Sequence, residues 1–408
     1  GLYEGLSRYG TISWEKAIQP ALRLASEGFE MSRGSADSWS TSPESSPWTK
    51  VKDVPETNGA VIVNKDMAEV LRKLATDGPD VFYKGEIAKL IADDMEKNGG
   101  FITIDDLNNY KAIITEPIYG NYRDHKIVTN PSPCGGITVI QILNILEEYD
   151  LEKMGHNSPD YIYTVSMAMK SAFADRANYV ADPAFVDVNT DWLISMEHAR
   201  EWKKKIDKRE PIIIPRWQPK ESPTTTHVST MDSMGNAVSL THSLGSSSGI
   251  ITSGLGFFYN NCMNCFDPIP GKLNSIAPGK ARVTGMVPTI VKKDGQILFV
   301  VGAPGGTRII TGVLQSILNV IDHKMSAIEA VSASRFDCQG DVISIQSRIP
   351  LSVCEKVRAM GHNITRGFSS YGDMSLVHGI LVNRETQTIQ GGADPGGGGM
   401  AIYIPPLM

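Results

Sequence analysis

Two periods of apolar residues divide the chain into a mainly helical first part and a second part built from strands. Apolar residues that recur every three to four positions predict amphipathic helices. We predict such helices at residues 13–28, 65–76, 84–97, 137–146, 159–179 and 197–208. Alternating runs at residues 114–122 and 125–129 predict paired strands within this part. Residues 33–58, rich in Ser, Pro, Thr and Asp, predict an exposed loop.

After residue 224 the apolar residues alternate with polar ones. Residues 226–231 and 237–243 predict a hairpin, and residues 288–291 and 296–301 predict a second one. The run at 296–301 is apolar on both faces, which is typical of a central strand covered on both sides. Further helices are predicted at about 308–322 and 350–360, and further strands at about 343–347, 375–382 and 399–404. Sheets covered by helices predict a layered α+β fold in one domain.

Composition narrows the class of protein. The 408 residues are 41% hydrophobic and 21% charged, with a net charge of −6, as in soluble globular proteins. The chain has no block of basic residues that would indicate binding to nucleic acid. Its apolar runs, such as residues 297–301, are too short to span a membrane. The compartment stays open, cytoplasmic or exported after loss of a leader. Because the chain begins at Gly1 without a methionine, we expect that an upstream segment is missing.

Candidate chemistry centres on the threonines that follow Pro223. If the peptide bond before Thr225 is cut, that residue carries both a hydroxyl nucleophile and a free amine. An α-amine has a pKa of about 7.7–8.0 and can serve as the base that a threonine hydroxyl needs. Taken alone, the threonines equally fit β-branched residues that open a strand. The polar segment that ends at Thr224 is predicted to be exposed and cleavable.

A glycine turn at residues 302–307 supports the first interpretation. It lies between the apolar strand and a predicted helix, where consecutive glycines let backbone N–H groups approach a reacting carbonyl. The alternative is a glycine turn that only packs strand against helix. No Gly-Lys-Ser/Thr follows, so it is not a phosphate-binding loop. The later run Asp394–Gly399 is interpreted as a flexible turn.

These features, with further motifs in the same order, resemble the γ-glutamyltranspeptidase (glutathione hydrolase) family of N-terminal-nucleophile hydrolases. The matching stretches are Tyr9-Gly10, Gln19-Pro20-Ala21, Leu24 to Phe29, Gly99-Gly100, Asp105, Leu107, Tyr110, Pro133 to Gly136, Ala172 to Arg176, Asp182-Pro183, Thr225-Thr226-His227, Asp232, Gly235 to Val238, Asn260-Asn261, Met286, Pro288-Thr289 and Gly302 to Ile309.

The resemblance implies a four-layer αββα sandwich of two antiparallel sheets between helical layers. It implies self-cleavage between Thr224 and Thr225, which divides the chain into a large-subunit-like region, 1–224, and a small-subunit-like catalytic region, 225–408. The two fragments would interlock as a heterodimer, with a higher oligomer left open. Gly305 and Gly306 would form the oxyanion hole, and Ser243 would hydrogen-bond the Thr225 amine.

The predicted substrate pocket departs from the family pattern. Gly245 replaces an asparagine, Cys265 replaces an aspartate, and Thr284-Gly285 replace two serines, while an arginine of the family would lie upstream of Gly1. The resemblance implies cleavage of γ-glutamyl amides with transfer to water or an amine. The substitutions keep two alternatives open: an acylase for a different amide, as in cephalosporin acylases, and a catalytically silent, unprocessed relative that binds a small metabolite.

The cysteines and histidines give little sign of further chemistry. Five cysteines are too few and odd in number to indicate a disulfide framework. Cys262 and Cys265 have the spacing of half a zinc site, without a second pair, so we predict neither a metal nor any other cofactor. His227 and His242 are predicted to be strand residues, not catalysts.

Overall fold

A computed structural model describes residues 1–32, 58–214 and 224–405. The predicted loop, apart from residue 58, and the predicted cleavable segment before Thr224 lie outside the described residues. Two compact units divide the chain: unit 1 is Gly1–Ile114 with Ser247–Asn260, and unit 2 is Thr115–Ser246 with Asn261–Met408. Unit 2 therefore contains residues from both sides of Thr224–Thr225. The division into 1–224 and 225–408 stays a prediction about processing.

Unit 1 is mainly helical. Its elements are α1 (Leu2–Tyr9), α2 (Trp14–Glu27), β1 (Phe29–Glu30), β2 (Val61–Ile62), α3 (Lys65–Asp77), α4 (Asp80–Tyr83), α5 (Glu86–Asn98) and α6 (Ile104–Asn109). The Ser13 hydroxyl caps α2 by accepting from the Lys16 N–H, and Gly28 ends the helix with φ 97°. Val70, Ile87 and Leu255 contribute to a small apolar core. The helices predicted in this region are confirmed.

Unit 2 contains the larger core. Its helices are α7 (Gly136–Leu146), α8 (Leu151–Met154), α9 (Pro159–Tyr179), α10 (Thr190–Leu193), α11 (Met196–Asp207), α12 (Arg308–Ile321), α13 (Ala327–Ser332) and α14 (Leu351–Ala359). Its strands are β3 (Ile118–Tyr122), β4 (His125–Thr129), β5 (Thr225–Met231), β6 (Ala237–Ser243), β7 (Thr289–Lys293), β8 (Gln296–Gly302), β9 (Phe336–Asp337), β10 (Val342–Ile345), β11 (Asn363–Arg366), β12 (His378–Asn383) and β13 (Thr388–Ala393).

Six strands form an antiparallel sheet in the order β13-β12-β8-β7-β4-β3. The strand that is apolar on both faces, β8, lies near its centre, as predicted. Helix α7 packs against β3, and α12 packs against both α7 and β8. The hairpin β5–β6 packs against β8 and β12 as a separate, two-stranded antiparallel sheet, and β11-β10-β9 form a further three-stranded sheet. The predicted α+β class with antiparallel sheets between helices is confirmed.

The prediction of a strand at residues 399–404 is wrong. That segment has no strand pairing within the described residues, and Ile402 and Ile404 are exposed. The last strand is instead β13, which pairs with β12. Glycines disguise this strand in the sequence: a Cβ atom on Gly392 would lie 2.6 Å from the Ala327 carbonyl oxygen. A glycine is therefore needed where α13 packs closely on the strand.

Candidate active site

The hairpin β5–β6 holds Thr225 at its open end. Its turn is fixed by Asp232, whose side chain accepts the N–H groups of Met234 and Asn236. This register pairs Thr225, the first residue of β5, with Ser243, the last residue of β6. The two hydroxyl oxygens lie 2.8 Å apart, within hydrogen-bond distance. The Thr225 hydroxyl is therefore fixed by a second hydroxyl across the hairpin.

The residue before Thr225 is fixed as well. The Thr224 hydroxyl donates to the Gly245 carbonyl oxygen at 2.9 Å, and the Thr224 carbonyl oxygen accepts from the Leu244 N–H at 3.2 Å. The Gly245 N–H in turn donates to the Ser243 hydroxyl at 2.9 Å. Both sides of the Thr224–Thr225 peptide bond are thus held by the last residue of β6 and the two residues that follow it.

The predicted oxyanion turn lies between β8 and α12. Gly305 and Gly306 have φ values of 137° and 63°, which side-chain-bearing residues rarely adopt. Among the described residues, neither of their N–H groups donates to a protein acceptor. The turn is held from behind, because the Leu376 N–H donates to the Pro304 carbonyl oxygen at 3.1 Å. Two unpaired backbone donors are therefore presented just before the N-terminus of a 14-residue helix.

Contacts between the two sheets indicate how the hairpin is aligned with this turn. The His227 ring lies against Gly302, where a Cβ atom would overlap it, and the Ser229 hydroxyl donates to the Val300 carbonyl oxygen. Two steps along β5 thus correspond to two steps along β8 in the opposite direction. The Thr225 end of β5 is therefore directed toward the end of β8 from which the glycine turn begins.

His227 is a buried strand residue, 4% exposed. Its two ring nitrogens lie 2.9 Å from the hydroxyls of Thr241 and Ser229. Burial, with the nearby His378 imidazole, lowers the pKa of His227 to about 4, so the ring is neutral at pH 7. Its hydrogen bonds lie within the hairpin, while its ring packs against Gly302 of the large sheet.

The four predicted substrate-binding residues fall into two groups. Gly245, buried with φ 70°, lies beside Cys262: a Cβ atom on Gly245 would be 3.0 Å from the Cys262 Sγ. Cys265 ends the same short 3-10 turn, Cys262–Cys265, and is 9% exposed.

Thr284 and Gly285 form the second group and lie beside the glycine turn. The buried Thr284 donates its N–H to the Pro133 carbonyl oxygen at 3.0 Å. Gly285 contacts Gly306 directly. The structure thus brings Gly245 to the Thr224–Ser243 end of the hairpin and Gly285 to the glycine turn.

Sequence reasoning missed a buried ion pair behind the turn, between Arg335 and Asp394. Arg335 also donates to the Ser375 carbonyl oxygen at 2.9 Å. The backbone of Ser375 lies against Gly305, where a Cβ atom would be 2.7 Å from the Ser375 Cα. The run beginning at Asp394 was interpreted only as a flexible turn. No local pattern connects two residues that are 59 positions apart.

None of the five cysteines forms a disulfide bond. Within the described residues, no three His, Cys, Asp or Glu side chains are grouped as metal ligands would be. None of the helices in the described residues is both long and apolar enough to cross a membrane.

Comparison with known proteins identifies the family. A family model described as "Gamma-glutamyltranspeptidase" matches residues 1–404. The chain belongs to the γ-glutamyltranspeptidase family. This confirms the resemblance predicted from the motifs, and the curated relatives are named as hydrolases and acylases.

Two curated relatives and one solved structure show which members of the γ-glutamyltranspeptidase family and its fold this chain is similar to. "Acylase ACY 1 proenzyme" of a Pseudomonas species is 37% identical over 92% of this chain and 70% of its own length. "Glutathione hydrolase proenzyme" of Escherichia coli is 36% identical over 97% of this chain and 72% of its own length. The cephalosporin acylase of Bacillus halodurans superposes with a TM-score of 0.85 at 25% identity, covering 96% of this chain and 75% of that one. The fold is that of the N-terminal-nucleophile hydrolases.

Proposed function

We propose that this chain cuts its own peptide bond before Thr225 and then hydrolyses amides with Thr225 as an N-terminal nucleophile. One observation carries the proposal: the Thr225 hydroxyl lies 2.8 Å from that of Ser243, beside a carbonyl that already accepts a hydrogen bond. Relatives that cover nearly the whole chain are named proenzymes, which supports processing.

Self-cleavage begins when the Thr225 Oγ1 attacks the carbonyl carbon of Thr224. The Thr225 hydroxyl proton passes to the departing amide nitrogen, the C–N bond breaks, and an ester joins Thr224 to the Thr225 oxygen. Water then hydrolyses the ester, which leaves a carboxylate on Thr224 and a free hydroxyl and amine on Thr225. The Leu244 N–H, 3.2 Å from the attacked carbonyl oxygen, is aimed at the negative charge that develops there.

Turnover uses the same residue. The freed amine takes the hydroxyl proton of Thr225 as the oxygen attacks the substrate amide, and the amine product leaves with that proton. Gly305 and Gly306 would donate their unpaired N–H groups to the oxyanion. Ser243 would hold the Thr225 amine. Water would then release the acyl group, and an amine acceptor would compete with water where one binds.

Two acyl donors are candidates. The family and the Escherichia coli relative favour a γ-glutamyl amide such as glutathione. A different amide, as in a cephalosporin acylase, is favoured by the acylase relative and by the fold match. The backbone packing at Gly245 and Gly285 also favours it, because neither position offers a side chain to bind a free amino acid. Strong activity on γ-glutamyl-p-nitroanilide, relative to a panel of other acyl p-nitroanilides, would select the first donor.

The proposed fragments should stay together after the cut. Strand β4 precedes Thr225 in sequence and β7 follows it, yet they are neighbours in the six-stranded sheet. Native size exclusion of the cut protein should therefore give one species that contains both fragments, whose mass also gives the oligomeric state. Denaturing electrophoresis should separate residues 1–224 from residues 225–408. A chain that stays whole and inactive would instead identify a silent relative.

A further inference from the structure

Gly285 is in unusually close contact with the glycine turn. A Cβ atom placed on Gly285 would overlap the Gly306 carbonyl oxygen and would lie 2.7 Å from the Thr307 Cα and 3.0 Å from the Gly306 carbonyl carbon. Real Cβ atoms essentially never come within 3.0 Å of another heavy atom. The crowding atoms are all backbone, so no side-chain rotation can relieve the overlap. Any residue other than glycine at this position must displace one of the two segments.

The segment that contains Gly285 is held on its other side. The Gly135 N–H donates to the Met286 carbonyl oxygen at 2.9 Å, and a Cβ atom on Gly135 would itself be 2.9 Å from the Gly285 carbonyl oxygen. The buried guanidinium of Arg176 donates to the Thr284 carbonyl oxygen at 2.7 Å. These contacts hold the Gly285 segment, whereas the N–H groups of Gly305 and Gly306 donate to no protein acceptor among the described residues. We therefore expect a side chain at position 285 to displace the Gly305–Gly306 turn.

We propose that Gly285 is a positioning residue for the oxyanion turn: its missing side chain lets the Gly306 carbonyl seat against it, and this contact sets the direction of the two unpaired N–H groups. The inference rests on the proposed function. The Gly306 carbonyl also accepts from the Ile309 N–H at 3.2 Å, which connects the turn to the first turn of α12. Gly285 thus acts through the turn and does not itself contact the acyl donor.

Alanine and serine at position 285 separate this role from substrate recognition. Both residues add the same Cβ atom, but only serine adds a hydroxyl that could bind a carboxylate. A displaced oxyanion donor costs roughly 10² in rate, while ground-state binding is little affected. We therefore expect Gly285→Ala and Gly285→Ser to lower kcat by a similar factor, roughly 10- to 100-fold, with KM changed by less than about 3-fold.

The experiment compares these two variants with wild type and with Gly340→Ser. Gly340 is a suitable control because a Cβ atom there would meet nothing within 4 Å. The fully cut enzyme is assayed with γ-glutamyl-p-nitroanilide and the most active acyl p-nitroanilide of the panel. A Gly285→Ser variant that lowers KM for the γ-glutamyl compound, while Gly285→Ala does not, would overturn the proposal. So would wild-type kcat in either variant.

A gentler variant keeps the test decisive if neither substitution at position 285 folds. Gly135→Ala would place a methyl group 2.9 Å from both the Gly285 carbonyl oxygen and the Ile310 Cγ1, a smaller overlap, so kcat should fall less and KM should stay unchanged. Unchanged kcat in this variant counts against the proposal. Failure of the proposed function is recognised by two separate results. Either the wild-type chain stays uncut, or activity survives in Thr225→Ala. Where Gly285→Ala does fold, its crystal structure reports whether the turn has moved even if the wild-type chain stays uncut.

Discussion

The buried ion pair behind the glycine turn allows a quantitative prediction. Arg335 and Asp394 are each 2% exposed, and the Arg335 guanidinium also donates to the Val331 and Ser375 carbonyl oxygens. In Asp394→Asn the guanidinium loses its counter-charge but stays protonated, because arginine does not give up its proton in proteins. An uncompensated buried charge costs about 3–5 kcal/mol of unfolding free energy.

The assay is urea unfolding at pH 7.5, followed by tryptophan fluorescence and circular dichroism. Glu148→Gln is the matched control, because it removes the same charge from a pair with Arg200 in which the side chains are 58% (Arg200) and 40% (Glu148) exposed. An exposed pair contributes about 0–1 kcal/mol. Asp394→Asn should therefore lose several times more stability than the control, and equal losses in the two variants would refute the reasoning. The Ser375 backbone, to which Arg335 donates, also supports Gly305. Folded Asp394→Asn protein should therefore also have a lower kcat.

Three further predictions follow from the contacts around Thr225. The pKa of His227 is about 4 in the folded protein and about 6.5 in the unfolded chain. The neutral imidazole therefore contributes fully to the unfolding free energy above pH 6.5, and this contribution is lost as the pH falls toward 4. Between pH 7.5 and 4.5, wild type should therefore lose roughly 2–3 kcal/mol more unfolding free energy than His227→Gln, and parallel pH profiles would contradict this. Ser243→Ala should slow self-cleavage by roughly 10²-fold, because the Thr225 hydroxyl loses its hydrogen-bond partner. Timed denaturing electrophoresis measures the rate of cleavage, and an unchanged rate would contradict this. Gly302→Ala should lower the urea midpoint by the equivalent of about 1–3 kcal/mol, because its methyl group would overlap the His227 ring; an unchanged midpoint would show that the ring can move away freely.

Local pattern was enough to predict the hairpin that carries the proposed nucleophile, Thr225. Alternation on both sides of the Asp232–Asn236 turn defines β5 and β6, and the register of that hairpin brings Thr225 opposite Ser243. The central position of β8 followed in the same way from its two apolar faces. Such features depend on neighbours in sequence, which is why they can be predicted from one chain.

Features that depend on distant segments could not be predicted in this way. The contact of Gly285 with Gly306 and the ion pair of Arg335 with Asp394 arise only when the sheet and α12 have packed. Glycine is also ambiguous in a sequence. Gly392 disguises the strand β13, and the resemblance to the family marks Gly285 as a lost substrate ligand. In the structure both glycines mark places where two backbones meet closely.

The nucleophile is the central claim, and intact mass spectrometry tests it most directly. Purified wild-type protein should resolve into residues 1–224 and residues 225–408, and the second fragment should begin with a free threonine amine. Thr225→Ala should remain whole and inactive, whereas Thr224→Ala and Thr226→Ala should each keep some cleavage and turnover. A wild-type chain that stays whole after long incubation, or a cut that persists in Thr225→Ala, would contradict the account.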